Sequence, residues 1–309
     1  MIILSAFQAE KILQAITNNK IKFNHIKVEL SLDLGLTLSK AEIDGTDKEN
    51  IKIILTHEAS KAAETETIIL DDLKKIIKNN TVCYLIKNNQ IHKIQLFSME
   101  TNTFLKLFPT GEKTAPTIEL SGIRMHNIKD QDAIIDAKNK IDAINVHGKV
   151  LDTCFGLGYT ALIAAKKKEV TEIYTHERDP NIVEIAKHNP WSNEVFEGIT
   201  DEKIQKKENK IKLKICDAVI EIKTYKDNFF DAIIHDPPMF KLSQEMYSGE
   251  FYLQLFRVLK KGGEIYHYTG APGAKNRSID IALGVIKRFQ RAGFKDVIRK
   301  HNGVTARKV

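Results

Sequence analysis

The sequence predicts an α/β fold built on a parallel sheet, with a smaller strand-rich domain ahead of it. Its 309 residues indicate two domains at the usual size of roughly 150 residues each. From residue 148 strand and helix patterns alternate strictly, which is typical of a parallel sheet covered on both faces, whereas short strand patterns dominate before residue 120. We therefore expect a strand-rich α+β domain at 1–120, with a substrate-recognition or structural role, and a larger domain at 121–309.

The composition excludes several classes of protein. Hydrophobic residues make up 42% of the chain and charged residues 28%, as in ordinary globular proteins, which excludes a disordered or collagen-like chain. The longest apolar stretches fall far short of the ~20 residues that cross a bilayer, and no basic segment precedes an apolar run at the N-terminus. We therefore expect a cytoplasmic protein that does not span a membrane. Its three cysteines form no CxxC pair, so we expect neither a disulfide framework nor a metal site.

Periodicity predicts the elements of the first domain. Residues 5–16 carry apolar side chains at helical spacing, while 26–32 and 36–43 alternate in the manner of strands around a Leu34-Gly35 turn. Glycine and proline among polar residues make 110–116 the best candidate for the linker between the domains. The sequence also predicts a strand at 51–55, a helix at 71–78 and a hairpin of 82–87 and 90–97 across Asn88-Asn89.

The second domain alternates strands with helices. In open parallel sheets the ligand lies beyond the carboxyl ends of the strands, so the residues at those ends are the candidates for a functional site. The predicted strands are 149–153, 172–176, 211–216, 230–235 and 264–268, and the predicted helices are 159–166, 181–187 and 247–260.

A glycine loop follows the first of these strands. It begins at Asp152 and runs through Gly156 and Gly158 to Tyr159, where a helix starts. The two glycines let the backbone turn tightly and approach a ligand, and the first turn of the helix presents unpaired N–H groups there. Nineteen residues after Gly158, Glu177 ends the second strand, at the position from which a carboxylate accepts the hydroxyls of a ribose. The alternative is that Glu177 is an exposed acid at a helix start.

Two further strand ends carry acids. Asp217 ends the third strand, where its side chain is placed to hold an adenine amine, although the same residue type is common in turns. The fourth strand ends in Asp236-Pro237-Pro238, and the two prolines form a rigid backbone that cannot continue the sheet. The Asp236 carboxylate and a proline carbonyl are both acceptors, so they are suited to hold an amine by its two hydrogens and orient its lone pair. The alternative is a turn that merely ends the strand.

With these four motifs in order, residues 148–309 resemble the class I S-adenosylmethionine-dependent methyltransferases. The resemblance implies a Rossmann-like fold with a mostly parallel seven-stranded sheet and S-adenosyl-L-methionine as cofactor. It also implies that the loop of Asp152, Gly156 and Gly158 packs against the methionine part, that Glu177 holds the ribose and that Asp217 holds the adenine. We include Tyr159, which opens the helix after the loop, among the cofactor-binding residues. The whole pattern looks most like a set of archaeal methyltransferases without an assigned substrate.

The strand-end motif Asp236-Pro237-Pro238 is similar to the (Asn/Asp)-Pro-Pro-aromatic motif of methyltransferases that act on amino groups. Met239 occupies the aromatic position here and Phe240 follows one place later, and Cys154 replaces the first glycine of the usual loop. Asp236 and Pro237 are accordingly the expected catalytic residues. The loop also resembles those of spermidine synthase and of methyltransferases for the tRNA wobble uridine. A Rossmann dehydrogenase shares the loop and the strand-end acid but does not account for Asp-Pro-Pro.

Three other side chains are weaker candidates for the site. His235 and His267 lie at strand ends and titrate near neutral pH, so they are possible bases, although packed histidines explain them better. Arg124, in the stretch between the two predicted domains, is a candidate for holding the cofactor carboxylate, and an exposed surface arginine is an equal alternative.

The charge distribution bears on the substrate. The net charge is +7, and residues 1–120 are balanced, so the excess lies in the second part of the chain, most densely in 284–309. A basic surface suits RNA, which makes methylation of an amine on tRNA or rRNA the leading hypothesis. The balanced first domain favours the alternative of a protein or small-molecule substrate. Aminopropyl transfer is a third hypothesis, weakened because only Glu245 and Glu250 provide acids in the dozen residues after the Asp-Pro-Pro motif. A cofactor-binding protein without activity is a fourth.

Overall fold

The computed structural model describes residues 1–18, 25–47, 49–58, 63–129, 131–196, 209–270 and 280–309. These residues form two compact units, Met1–Ala133 with Glu184–Asn193, and Ile134–Val183 with Glu194–Val309. Residues 121–133 thus lie with the first unit, beyond the predicted boundary at residue 120. Among the described residues, no helix is both long enough and apolar enough to cross a membrane.

Strands dominate the first unit, as expected. Strands β2 to β5 form an antiparallel sheet in chain order, β1 pairs with β6 and β7, and β8 to β11 form a third sheet. The strands are β1 Ile2–Leu4, β2 His25–Leu30, β3 Ser39–Asp44, β4 Lys52–His57, β5 Glu64–Ile69, β6 Tyr84–Lys87, β7 Gln90–Lys93, β8 Gln95–Ser98, β9 Thr103–Phe108, β10 Thr117–Leu120 and β11 Ile123–Arg124, and the helices are α1 Ala6–Asn18 and α2 Leu70–Lys78.

Local sequence signals explain several of these elements. Asn88 and Asn89 both have positive φ, 54° and 59°, as a two-residue hairpin turn requires, and they join β6 to β7 as predicted. The buried faces of β3 and β4 pack with α1 and α2 in one apolar core. The candidate linker at 110–116 was a wrong prediction, because these residues connect the paired strands β9 and β10 and Ala115 is fully buried.

The second unit contains the predicted sheet. Its seven strands run in the order β14-β13-β12-β15-β16-β18-β17; the first five are parallel, and β18 and β17 are antiparallel to their neighbours. This confirms the mostly parallel seven-stranded sheet. The strands are β12 Gly148–Asp152, β13 Val170–Glu177, β14 Ile211–Ile215, β15 Phe230–His235, β16 Leu259–Tyr268, β17 Lys295–Lys300 and β18 Gly303–Arg307.

The remaining helices lie before the first of these strands or between them along the chain. Their ends are set by local chemistry in several places: Asp280 accepts the Leu283 N–H at the start of the last helix, and Gly293 in the left-handed region ends it. The strand order reverses at β12, which pairs with both β13 and β15, and such a switch point opens a ligand crevice. The helices are α3 Ala133–Ile141, α4 Tyr159–Ala165, α5 Pro180–Lys187, α6 Asn193–Phe196, α7 Ala218–Glu221, α8 Gly249–Val258 and α9 Ile281–Ala292.

Candidate functional site

The carboxyl ends of the parallel strands meet at one edge of the sheet, and backbone hydrogen bonds tie them together. The N–H of Phe155, after β12, donates to the His176 carbonyl on β13 over 2.7 Å. The Cys216 N–H, after β14, donates to the Glu177 carbonyl over 2.8 Å, and the Thr153 N–H donates to Ile234 on β15. The structure therefore brings together the strand ends that carry the predicted site residues.

The glycine loop adopts the backbone conformation that its glycines allow. Gly156 and Gly158 have φ values of 56° and 75°, in the left-handed region that other residues rarely adopt. A Cβ on Gly158 would lie 2.5 Å from the Phe155 ring, so a side chain there would also displace packed atoms. Tyr159, the first residue of α4, is buried behind the loop.

Asp152 lies beneath the loop rather than on its surface. One carboxylate oxygen, Oδ2, accepts hydrogen bonds from the hydroxyls of Thr160 and Thr175, both over 3.0 Å. The side chain is buried, and burial raises the pKa of Asp152 to about 7. These bonds link the end of β12 to β13 and to the start of α4. Asp152 therefore holds the glycine loop, which connects β12 to α4, in place.

Glu177 is also buried, and it faces the loop. Its Oε2 accepts the Gly156 N–H over 3.0 Å and its Oε1 accepts the Asp179 N–H over 3.0 Å. Burial raises the pKa of Glu177 to about 7, against the opposing effect of these backbone donors. The alternative of an exposed helix-start acid is therefore wrong, because the carboxylate is inside the protein and bonded to the glycine loop.

Asp217 is half-buried and follows β14. Its Oδ1 accepts the Val219 N–H over 2.8 Å, so one oxygen caps the short helix α7. A carboxylate has about four acceptor positions, so the cap leaves it able to accept from a ligand.

Asp236 and Pro237 stand at the end of β15, as predicted. The Asp236 side chain keeps 20% of its surface exposed, and its Oδ2 accepts a hydrogen bond from Lys140 Nζ over 2.6 Å. Burial raises the pKa of Asp236, and the charge of Lys140 opposes that rise. Pro237 is buried, and the next carbonyl, of Pro238, accepts the Tyr247 hydroxyl over 3.0 Å, which anchors the rigid turn.

Apolar side chains follow the proline pair at the surface. Met239 is 40% exposed and Phe240 is 38% exposed, and the Phe240 ring stands edge-on to Tyr247 with 5.4 Å between centroids. Tyr247 thus packs against the aromatic side chain that follows the proline pair.

The two histidines serve the packing rather than acting as bases. The Thr153 hydroxyl donates to His235 Nδ1 over 2.7 Å, and His235 Nε2 donates to the Met246 carbonyl over 3.0 Å. His267 is likewise bonded through both ring nitrogens, to the Tyr252 hydroxyl and to its neighbour's carbonyl. Burial lowers the pKa of His235 to about 3 and that of His267 well below its usual value, so both stay neutral.

Lys140 contacts the candidate site and was not predicted from the sequence. It lies on α3, which no pattern predicted, and it is buried against Asp236. The sequence feature that could have indicated this lysine is Asp136, four residues earlier, because that spacing places an acid and a lysine on one helix face. Arg124 belongs to the first unit, where it lies over the Phe108 ring and 3.7 Å from Glu119. Among the residues that the structure describes, no group of three or more metal-ligating side chains occurs.

Comparison with known proteins agrees with this architecture. Residues 183–307 match a family model described as S-adenosyl-L-methionine-dependent methyltransferase. The uncharacterized protein MJ1233 of Methanocaldococcus jannaschii is 42% identical over 268 residues, which cover 86% of this chain and 85% of that protein. A polyamine aminopropyltransferase of Prochlorococcus marinus is 28% identical over 178 residues, covering 56% of this chain and 59% of that one.

Among solved structures, a spermidine synthase in complex with the transition-state analogue AdoDATO superposes with a TM-score of 0.53. The match covers 73% of this chain and 79% of that chain at 18% identity, and such a likeness shows the fold alone. The extended similarity to the Methanocaldococcus jannaschii protein shows that the two proteins belong to one family. The methyltransferase model matches residues 183–307 of this chain. The chain belongs to the S-adenosyl-L-methionine-dependent methyltransferases, in one family with that protein.

Proposed function

We propose that the enzyme methylates an amine nitrogen of RNA, in tRNA or rRNA, with the first domain supplying substrate recognition. The observation that carries the proposal is the acceptor pair at the end of β15, where Asp236 is followed by two prolines at the switch point of the sheet. S-adenosyl-L-methionine supplies an electrophilic methyl group on its sulfonium. The chain's own part is to hold the cofactor and the amine in line.

The strand ends fit this cofactor. Glu177 is a buried carboxylate whose backbone donors fill only part of its capacity of about four acceptor positions. The hydroxyls of a ribose would complete that set and favour the charged form. We assign the cofactor to Glu177 and Asp217, to the turn at Gly156 and Gly158, and to Asp152 and Tyr159, which support that turn.

In the proposed reaction Asp236 accepts one hydrogen of the amine and the carbonyl of Pro237 accepts the other. The lone pair of the nitrogen then lies opposite both acceptors, directed at the methyl carbon, whose bond to sulfur breaks to leave S-adenosylhomocysteine. The extra proton on the methylated nitrogen is released to solvent, which reaches the partly exposed Asp236 side chain. Positioning of this kind supplies ~7–11 kcal/mol of barrier reduction. Neither His235 nor His267 is needed as a base, which agrees with their engagement in buried hydrogen bonds.

Exposed cations near the C-terminus support an RNA substrate. Within 284–309, Lys287, Arg291 and Lys295 are exposed and suited to phosphate. Two of the basic residues there have structural roles instead: Arg299 pairs with Asp280, and Lys308 is buried with its ammonium on helix carbonyls. The surface charge is therefore smaller than the sequence suggests.

Aminopropyl transfer is the second candidate, favoured by the sequence similarity to the Prochlorococcus marinus aminopropyltransferase. A protein or metabolite acceptor is the third. The three differ in which part of the cofactor is transferred and in what receives it, so one labelling experiment separates them.

The test is methyl-label transfer from S-adenosyl-L-methionine to total small RNA and to a protein extract, both from a strain that lacks the gene. Label in RNA supports the proposal, and label in protein alone refutes it. Label in neither, with a polyamine formed from decarboxylated cofactor, favours aminopropyl transfer. Asp236→Ala, which removes the acceptor, should abolish transfer, whereas the matched variant Asp227→Ala, in an exposed ion pair, should retain it.

A further inference from the structure

A buried ammonium lies against the acceptor carboxylate. Lys140 is 1% exposed, and its Nζ lies 2.6 Å from Asp236 Oδ2, 2.8 Å from Asp136 Oδ2 and 4.5 Å from the centroid of the Tyr268 ring. Lysine is almost never fully buried unless it is paired, because removing its charge from water is costly. The position of this ammonium therefore needs an explanation.

One carboxylate would be enough to pair Lys140. Asp136 stands one helical turn before it on α3 and is itself buried, so the helix already supplies a carboxylate partner for the ammonium. Asp236 adds a second carboxylate to the same ammonium, from 96 residues away in the sequence. Because Asp136 already pairs the ammonium, the burial of Lys140 does not by itself account for the contact with Asp236.

We propose that Lys140 is a positioning residue: it holds one oxygen of Asp236 and so leaves the other oxygen, in a fixed orientation, for the substrate amine. The inference rests on the proposed function, in which Asp236 accepts the amine. A substrate can reach the Asp236 side chain, because this side chain is partly exposed whereas those of Lys140 and Asp136 are buried.

The same contact favours the ionised form of Asp236. Burial and the charge of Asp136 raise the pKa of Asp236, and Lys140 is the group that lowers it. Among the described residues, other titratable groups that interact electrostatically with Asp236 include Asp152, Cys154, Tyr247 and Tyr266. The two tyrosines and the thiol are neutral near pH 7, because burial raises each pKa, and Asp152 is a like charge when ionised. Lys140 is thus the cation in this set.

Two substitutions on one helix should move the titration of Asp236 in opposite directions. Lys140→Met removes the cation and should raise the pKa of Asp236 by about 1–3 pH units. Asp136→Asn removes a like charge, keeps the ammonium on Asp236 and should lower that pKa. A general destabilisation of the fold would not be expected to shift the pKa of Asp236 in opposite directions in the two variants.

The experiment is a carbon-13 NMR titration of the full chain with labelled aspartate carboxyls, in which Asp236→Asn identifies the resonance. A rise for Lys140→Met with a fall for Asp136→Asn supports the proposal, and unchanged midpoints in both overturn it. If Lys140→Met does not fold, Asp136→Asn decides: a fall supports the proposal, and no change or a rise overturns it. This readout needs no substrate, so it remains informative even if RNA is not labelled.

Activity supplies the second readout. Lys140→Met should lower kcat about tenfold or more while the Kd for cofactor changes little, and the acid limb of its pH–rate profile should move upward with the Asp236 midpoint. An enzyme with the wild-type kcat and profile would overturn the positioning role.

Discussion

Cofactor affinity should depend on pH through Glu177. Burial raises the pKa of Glu177 to about 7 in the ligand-free protein, and both of its oxygens accept backbone N–H groups. Ribose hydroxyls donate to the carboxylate, so binding favours the charged form and competes with protonation. Each pH unit below the pKa should therefore weaken binding tenfold, and the Kd should rise about tenfold between pH 8 and pH 6.

The assay is calorimetric titration with S-adenosyl-L-methionine at pH 6, 7 and 8. Glu177→Gln cannot ionise, so it should bind more weakly at pH 8 and lose most of the pH dependence. The exposed Glu184→Gln, on α5, should keep the wild-type dependence. Asp152 also has a pKa of about 7, and the slope that remains in Glu177→Gln measures its contribution. A pH dependence as steep in Glu177→Gln as in the wild type would refute the assignment of the ribose to this carboxylate.

Three further predictions concern stability and RNA binding. Burial lowers the pKa of His235 to about 3 in the folded protein. As pH falls below about 6.5, this histidine binds a proton in the unfolded chain but not in the folded one, so the free energy of unfolding decreases. His235→Asn should reduce the pH dependence of the free energy of unfolding by about 1.4 kcal/mol per pH unit, measured by urea unfolding between pH 4 and 6. Lys308→Met should lower the unfolding free energy by about 2 kcal/mol, because the buried ammonium donates to the Phe256 and Arg257 carbonyls. Lys295→Met, at an exposed position, should instead leave urea unfolding unchanged. It should reduce the slope of the logarithm of the RNA-binding constant against the logarithm of salt concentration by about one. Equal slopes for the wild type and Lys295→Met would exclude a phosphate contact at this residue.

Much of the second unit was predictable because its signals are local. Strand β15 is nearly continuous in apolar residues, as a strand covered on both faces must be, and the predicted range 230–235 is the observed one. The Asn88-Asn89 turn was predictable for the same reason, since asparagine tolerates the left-handed conformation found there.

The errors and omissions share a cause in longer-range contacts. Strand β5, Glu64–Ile69, carries a mixed polar pattern and is a strand because it pairs with β4. The polar stretch 110–116 has the composition of a linker, yet it connects two paired strands and buries Ala115. The composition of a segment indicates only its average exposure to solvent. Whether the segment is a linker or part of a folded unit depends on whether the strands beside it pair with each other.

The sequence alone determined the alternation of strand and helix, the glycine turn and the acids at the strand ends, because each depends on backbone preferences and on periods of two or 3.6 residues. Only the tertiary structure decided what those acids contact. Glu177 accepts the N–H of a loop 21 residues earlier, and Asp236 accepts Lys140 from a helix 96 residues earlier. Hydrogen bonds and ion pairs act over a few ångströms in space, and their partners are set by how the helices pack on the sheet, which no local pattern encodes.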